Sequence, residues 1–142
     1  MDINSLERFV KAQENMYQIA LIEIQRGYKV SHWMWYIFPQ IRGLGSSRSS
    51  YVYGISGLNE AKEYLNHPLL YQRLCEICNA LLVHKNKSAY RIFGSIDSMK
   101  LHSSMTLFAL VSEEGSVFHQ VIDMFYGGKM DSATLDIVNS QK

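Results

Sequence analysis

LLYQRLCEICNALLV, residues 69–83, carries the clearest structural signal in the chain. Its apolar side chains recur every three or four residues, at Leu70, Leu74, Ile77, Leu81 and Leu82. This spacing is typical of one face of an α-helix. Pro68 stands where the first turn of a helix tolerates proline, and Lys85 and Lys87 follow the end that the helix dipole makes negative. The sequence therefore predicts a long amphipathic helix that begins at Pro68.

Helical spacing also recurs on both sides of this stretch. The other predicted helices lie near residues 6–10, 16–24, 32–37, 58–65, 95–110, 116–125 and 131–138. Gly27 is expected to end the second of them, and the Gly/Ser-rich segment from Ile41 to Ser50 is expected to be a loop. The alternation typical of strands is essentially absent. We predict an all-α protein, a single compact orthogonal helical domain of about six to eight helices over residues 1–142.

The composition is that of an ordinary globular protein, with 47% hydrophobic residues, 19% charged residues and a formal net charge of +1. Neither sign of charge forms a run of five, which argues against duplex nucleic acid as a partner. No apolar run approaches the ~18–20 residues of a membrane span. The N-terminus lacks the pattern of a secretory signal. We expect a cytoplasmic protein without a membrane partner, and the sequence does not determine its oligomeric state.

Cys75 and Cys78 form a C-x-x-C pair inside the predicted helix. A structural zinc site needs four ligands, whereas His67 and His84 lie too far along the helix to complete one. Reduced cysteine behaves as a small buried hydrophobic residue. We therefore expect both thiols to fill a helix face, and we predict no metal and no cofactor.

The second informative stretch is HWMWYIFPQIRGLG, residues 32–45, which contains both tryptophans. Trp33 and Trp35 are two residues apart and cannot point to the same side of a helix. One is expected in the core, and the other is a candidate platform on which a flat base stacks. Ser31 is a candidate cap for a short helix over residues 32–37.

The polar residues of the same stretch have two interpretations each. His32 is either a general base or a structural hydrogen-bonding group. Arg42 either holds a phosphate or is a solvated loop residue. Gly43 and Gly45 offer backbone amides to a phosphate, although no strand precedes them as a dinucleotide-binding motif would require.

A third stretch, GSIDSMKLHSSMTLF at residues 94–108, places polar groups on one helix face. Asp97, Lys100 and Ser103 or Ser104 recur at helical spacing. A lysine in this setting suits an anionic group such as phosphate, and the alternative is an ordinary surface ion pair. Lys100 and Ser103 also have the spacing of a base and a nucleophile, but no oxyanion hole is recognisable beside them.

Taken together, these stretches resemble the family called domain of unknown function 1810. The resemblance runs over nearly the whole chain and is carried by residues 6–13, 32–45, 53–55, 67–70 and 92–108 and by the D-x-x-T-L motif at 131–135. It implies an all-helical single-domain fold and brings no established reaction. His102 stands where the family more often has another basic or polar residue, and we expect it on an outward face.

A more distant similarity, in fold class and style of pocket only, is to the NADAR group, which acts on ADP-ribose conjugates. If this analogy applies, the motif residues line one shared cleft: His32, Trp33, Trp35, Gln40, Arg42, Gly43, Gly45, Asp97, Lys100, Ser103, Ser104 and Thr106. The chain is then expected to bind a nucleotide-like or ADP-ribose-like molecule.

The leading hypothesis adds hydrolysis of an N-glycosidic bond. His32, Asp97 and Lys100 are the candidate catalytic residues, with His32 or Asp97 acting at the ribose and Lys100 and Arg42 holding phosphates. Two alternatives stay open. The protein either sequesters a signalling nucleotide without chemistry, as anti-defence proteins of viruses do, or acts as a protein–protein adaptor whose aromatic residues are simply core.

Overall fold

The computed structural model describes residues 5–142, which form nine helices. They are α1 (Glu7–Gln13), α2 (Tyr17–Arg26), α3 (Met34–Ile37), α4 (Arg48–Val52), α5 (Leu58–Asn66), α6 (Pro68–Leu82), α7 (Ala89–Ala109), α8 (Val117–Tyr126) and α9 (Ser132–Ser140). Within residues 5–142 the only β-type pairing is an isolated parallel bridge between Ile41 and Ile55. The all-α prediction is confirmed.

Helix α6 behaves as its sequence predicts. It begins at Pro68, and Leu70, Leu74, Ile77 and Leu81 are all buried. Its neighbours are α1, α2, α5 and α8, while α7 packs on α5, α8 and α9. These two long helices therefore run through the hydrophobic core and fix the positions of the shorter ones.

The loop predicted from Ile41 to Ser50 is non-helical as far as Ser47, but its last three residues lie in a helix. Arg48–Val52 forms the short helix α4, whose N-cap Ser47 accepts a hydrogen bond from the backbone N–H of Ser50. The expected helix over residues 32–37 begins only at Met34. Ser31 does not cap it, because its backbone N–H and its hydroxyl both donate to the Glu23 carboxylate. Glu23 thus ties the approach to α3 onto α2.

Helix α7 contains a break at Gly94, which has φ 83° and ψ 173°. A side chain is strongly disfavoured at these angles, so glycine is required there. The break separates Ala89–Phe93 from the rest of α7 and leaves the carbonyl of Ile92 free to accept a hydrogen bond from the N–H of Lys29. It thereby sets the direction in which residues 95–109 cross the molecule.

None of the helices formed by residues 5–142 combines the length and the apolar character that a membrane span requires. The same residues contain no cluster of three or more His, Cys, Asp or Glu side chains that could hold a metal ion. Cys75 and Cys78 are both free thiols, and burial raises the pKa of each.

Candidate functional site

A cleft of about 540 Å³ lies between residues 35–45, which comprise the end of α3 and the segment after it, and the outer part of α7, with the start of α9 at its edge. Trp35, Gln40 and Gly45 line it from the first segment, and Lys100 and Ser103 line it from α7. The two stretches that the sequence singles out therefore face each other. The apolar part of the lining comes from Leu44, Ile96, Met99 and Ala133.

The two tryptophans separate as their spacing predicts. Trp33 is completely buried, and its indole N–H donates to Oε1 of Glu23 at 3.0 Å. Trp35 is half-buried and lines the cleft. Trp33 is therefore a core residue, and its assignment to the ligand-binding set does not match its position. The candidate platform is Trp35.

Lys100 already has two partners at the cleft wall. Its ammonium nitrogen lies 3.8 Å from the centroid of the Trp35 ring, a cation–π distance, and 3.4 Å from Oδ1 of Asp97. One face of Trp35 is therefore covered by a positive charge. A planar ligand group can stack only on the face that Lys100 leaves uncovered.

Asp97 does not line the cleft. Its Oδ2 atom lies 2.8 Å from the ammonium of Lys29, which also donates to the carbonyl of Ser31 at 2.6 Å. Asp97 thus sits between two lysines and pairs more closely with Lys29 than with Lys100. This position fits a residue that orients Lys100 and does not fit the expected contact with a ribose.

Three other predicted residues lie outside the cleft lining. His32 is exposed, and Gly43 is exposed with φ 111°. Arg42 turns toward α4, where its Nε donates to the carbonyl of Tyr51 at 2.9 Å and its guanidinium lies 4.8 Å from the Tyr51 ring centroid. The structure therefore does not bring these residues together with Lys100.

Of the predicted polar residues in the inner half of α7, one lines the cleft and two do not. Ser103 lines the cleft, whereas Ser104 and Thr106 are completely buried. Thr106 accepts a hydrogen bond from the backbone N–H of Asp131 at 2.9 Å and so fastens the start of α9 to α7. Ser104 and Thr106 are structural residues here and are wrongly placed in the predicted cleft.

Asp131 and His102 line the cleft although the sequence does not assign them to it. Oδ2 of Asp131 accepts hydrogen bonds from the backbone N–H and the hydroxyl of Thr134, so Asp131 is the N-cap of α9. The D-x-x-T pattern signals this cap, but it cannot show where the capped helix docks. His102 is half-buried and lines the cleft.

Ser103 and Asp131 connect the two helices at the cleft edge. The Ser103 hydroxyl oxygen lies 2.9 Å from Oδ2 of Asp131 and 3.1 Å from the carbonyl oxygen of Met99. A hydroxyl has one proton and therefore donates to one of these acceptors at a time. The alternative of a nucleophile paired with Lys100 gains no support, because no hydrogen bond joins Ser103 to Lys100 among the described residues.

A larger hollow of about 650 Å³ lies between α6 and the loop before α8. Tyr71, Cys75 and the acidic pair Glu113 and Glu114 are among its lining residues, and no lysine or arginine is. None of the predicted site residues lies there. The cleft at Trp35 is therefore the stronger candidate for a site that takes an anionic ligand.

The comparisons with known proteins agree with the fold and assign no activity. The model of the family described as "Protein of unknown function (DUF1810)" matches residues 3–138. The crystal structure of the conserved hypothetical protein Rv1873 from Mycobacterium tuberculosis is similar to this chain, with a TM-score of 0.93 and 43% sequence identity. The match covers 97% of this chain and 99% of that one. No curated protein matches.

Proposed function

The chain belongs to the family described as protein of unknown function (DUF1810), and we propose that it binds a small nucleotide-like molecule in the cleft at Trp35. One observation carries this proposal: an indole ring, a side-chain amide and an ammonium group converge on a single hollow. The volume of about 540 Å³ lies within the range of small-molecule sites, roughly 300 to 1,000 Å³.

The charges around Lys100 favour an anionic group on the ligand. Asp97 is the carboxylate that pairs with both Lys29 and Lys100, so two positive charges share one negative charge. Lys29 is the closer partner, at 2.8 Å against 3.4 Å. A phosphate in the cleft would therefore meet an ammonium group whose charge is only partly compensated.

The other groups that line the cleft favour a flat polar ring. Trp35 offers aromatic surface, and Leu44 and Met99 add apolar contact. The Gln40 side chain is nearly buried at the cleft wall, and none of its amide atoms has a hydrogen bond to the residues that the structure describes. An amide that both donates and accepts is suited to the edge of a nucleobase.

Binding without chemistry is the version that the geometry supports best. Of the three residues expected to be catalytic, His32 and Asp97 lie outside the cleft lining, and Lys100 is suited to charge pairing. N-glycosidic hydrolysis is a second candidate because one carboxylate, Asp131, does line the cleft. Glycoside cleavage needs a carboxylate near the anomeric carbon.

Calorimetric titration tests the proposal, using the four ribonucleoside 5′-monophosphates and ADP-ribose. We expect at least one of these compounds to bind. In a separate denaturation experiment, that compound at 100 times its Kd should raise the free energy of unfolding by about 2.7 kcal/mol. Lys100→Met should weaken that binding about tenfold or more, while Lys62→Met on the exposed surface of α5 should not change it. Failure of all five compounds to bind would contradict the proposal and favour a protein–protein adaptor.

Chromatography of the same mixtures separates binding from hydrolysis. Recovery of the intact nucleotide after prolonged incubation supports a sequestering protein. Release of a free base supports hydrolysis, which Asp131→Asn should then abolish.

A further inference from the structure

Two residues of the cleft lining, Asp131 at the start of α9 and His102 of α7, offer hydrogen-bond acceptors. The Asp131 carboxylate uses Oδ2 for all its hydrogen bonds, to the Thr134 N–H at 3.2 Å, the Thr134 hydroxyl at 2.6 Å and the Ser103 hydroxyl at 2.9 Å. Oδ1 has no hydrogen bond to any residue from 5 to 142. The hydrogen bonds to Oδ2 thus hold the cleft-lining carboxylate in place, and Oδ1 is still able to accept a hydrogen bond from a ligand.

His102, which also lines the cleft, supplies a second acceptor. Its Nε2 lies 2.6 Å from the carbonyl oxygen of Lys129, and its ring stacks on Tyr126 with centroids 4.0 Å apart and planes within 4°. A carbonyl only accepts, so Nε2 carries the proton of this hydrogen bond. In the neutral ring Nδ1 is then the acceptor. The contacts with Lys129 and Tyr126 fix the orientation of the imidazole.

Tyr126 is itself held, because its hydroxyl donates to the carbonyl of Ser98. The stack therefore joins α7 to the end of α8, and His102 cannot turn without breaking contacts on both sides. An acceptor held this firmly costs little entropy to use when a ligand binds.

The lining of the cleft thus combines hydrogen-bond donors and acceptors. Lys100 of α7 and the amide of Gln40 provide donors, and Asp131 at the start of α9 and His102 of α7 provide acceptors. A ligand that matches both has an anionic group and donating hydroxyl groups. The ribose of a 5′-nucleotide has this arrangement, since its 2′ and 3′ hydroxyls donate while its phosphate is anionic.

We propose that Asp131 and His102 bind the ribose hydroxyls of the ligand, so that the cleft selects ribonucleotides over deoxyribonucleotides. This inference rests on the proposed function and goes beyond it, because it names two residues that bind the ribose and predicts a preference for ribonucleotides. A site built to accept from a hydroxyl binds the analogue without it poorly, because its acceptors are left without a donor.

The test compares each of the four ribonucleoside 5′-monophosphates with its 2′-deoxy and 3′-deoxy counterparts by calorimetric titration. We expect the loss of a hydroxyl that donates to Asp131 to weaken binding about ten- to hundredfold. Asp131→Asn should abolish most of this preference, because asparagine still caps α9 with one oxygen but replaces the free acceptor by a donor. Asp136→Asn, an exposed change on the same helix, should leave the preference intact.

Two further variants separate the acceptors of the cleft from its donors. His102→Gln, whose amide can still donate to the Lys129 carbonyl, should reduce the preference for ribonucleotides. Lys100→Met should weaken ribonucleotides and deoxyribonucleotides by the same factor and leave their ratio unchanged. Thermal unfolding of each variant verifies that it is folded.

The outcomes distinguish this inference from the proposed function. Equal affinity for ribonucleotides and their deoxy counterparts would overturn the inference and leave nucleotide binding standing. A preference that survives Asp131→Asn and His102→Gln in folded proteins would overturn the assignment of these residues. Absence of binding by every compound would overturn both.

Discussion

Lys100 lies over the indole ring of Trp35, with its ammonium nitrogen 3.8 Å from the ring centroid. The two residues belong to α7 and α3, so this contact exists only because the fold brings the two helices together. Trp33, on the same short segment, points the other way into the core. The same short segment thus supplies one tryptophan to the cleft wall and one to the core, so the two indole rings should differ in their exposure to solvent.

Fluorescence quenching by acrylamide checks this difference. Trp33→Phe leaves only the half-buried Trp35, and Trp35→Phe leaves only the buried Trp33. We expect markedly stronger quenching in the Trp33→Phe protein. That variant should also lose about 2 kcal/mol of unfolding free energy or more, because it removes buried ring atoms and a hydrogen bond to Glu23. Equal quenching of the two variants would contradict the assignment of Trp35 to the cleft.

Much of this arrangement follows from local sequence patterns. The buried face of α6 follows from its apolar spacing, and the opposite directions of Trp33 and Trp35 follow from their separation by two residues. The spacing of Lys100 and Ser103 also places both on one face of α7, and both do line the cleft. Periodicity is a property of neighbouring residues, so a single sequence displays it.

The rest depends on contacts between distant segments, which a single sequence does not display. Asp97 pairs with Lys29 and does not line the cleft, and no residue near Asp97 in the sequence indicates this partner. Asp131 reaches the cleft because Thr106 and Ser103 bind the start of α9. The helix α4 is only five residues long, and its serine-rich sequence has the composition of a loop.

Gly94 yields a prediction about the backbone. Its angles, φ 83° and ψ 173°, belong to a region that only glycine occupies readily, whereas Gly127 has the milder left-handed angles φ 62° and ψ 26°. A Cβ atom would meet nothing within 4 Å at either position. Any cost of alanine therefore comes from the backbone alone. We expect Gly94→Ala to lower the unfolding free energy by about 2–3 kcal/mol and Gly127→Ala by about 1 kcal/mol.

Urea denaturation of both variants measures the two values. If Gly94→Ala loses no more unfolding free energy than Gly127→Ala, alanine adopts the backbone angles at the break in α7 without extra strain. A larger loss would confirm that the backbone at the break in α7 disfavours any residue with a Cβ atom.

Glu23 yields a prediction about acid. Burial alone would raise the pKa of its carboxyl, but hydrogen bonds from Ser31, Val30 and Trp33 outweigh burial and lower the pKa from 4.5 to about 2. A group whose pKa is lower in the folded state stabilises the fold when it is ionised. The stabilisation is therefore complete above pH 4.5 and declines as the pH falls toward 2.

Glu23→Gln removes this titration. We expect the variant to be less stable than the parent at pH 7, and the difference in unfolding free energy to shrink as the pH drops below 4.5. Urea midpoints between pH 2 and pH 7 measure it, with Glu63→Gln on the exposed surface of α5 as the control. A difference that stays constant with pH would show that the hydrogen bonds to Glu23 do not favour its ionised form.

Ser104 and Thr106 yield opposite predictions although both are completely buried on α7. The hydroxyl of Ser104 has no hydrogen-bond partner among the described residues, whereas Oγ1 of Thr106 accepts the Asp131 N–H at 2.9 Å. An unpaired buried hydroxyl costs free energy, and removing one member of a buried pair leaves the other without a partner. Ser104→Ala should therefore be neutral or stabilise the protein by up to about 1 kcal/mol.

Thr106→Val, which keeps the shape of the side chain, should instead cost about 1–3 kcal/mol. It should also loosen the start of α9, seen as faster amide exchange of Asp131 while the amides in the middle of α6 keep their protection. Because Asp131 lines the cleft, this loosening should weaken nucleotide binding as well, whereas Ser104→Ala should not. If Ser104→Ala costs as much stability as Thr106→Val, the Ser104 hydroxyl is hydrogen-bonded in solution and its burial does not destabilise the fold.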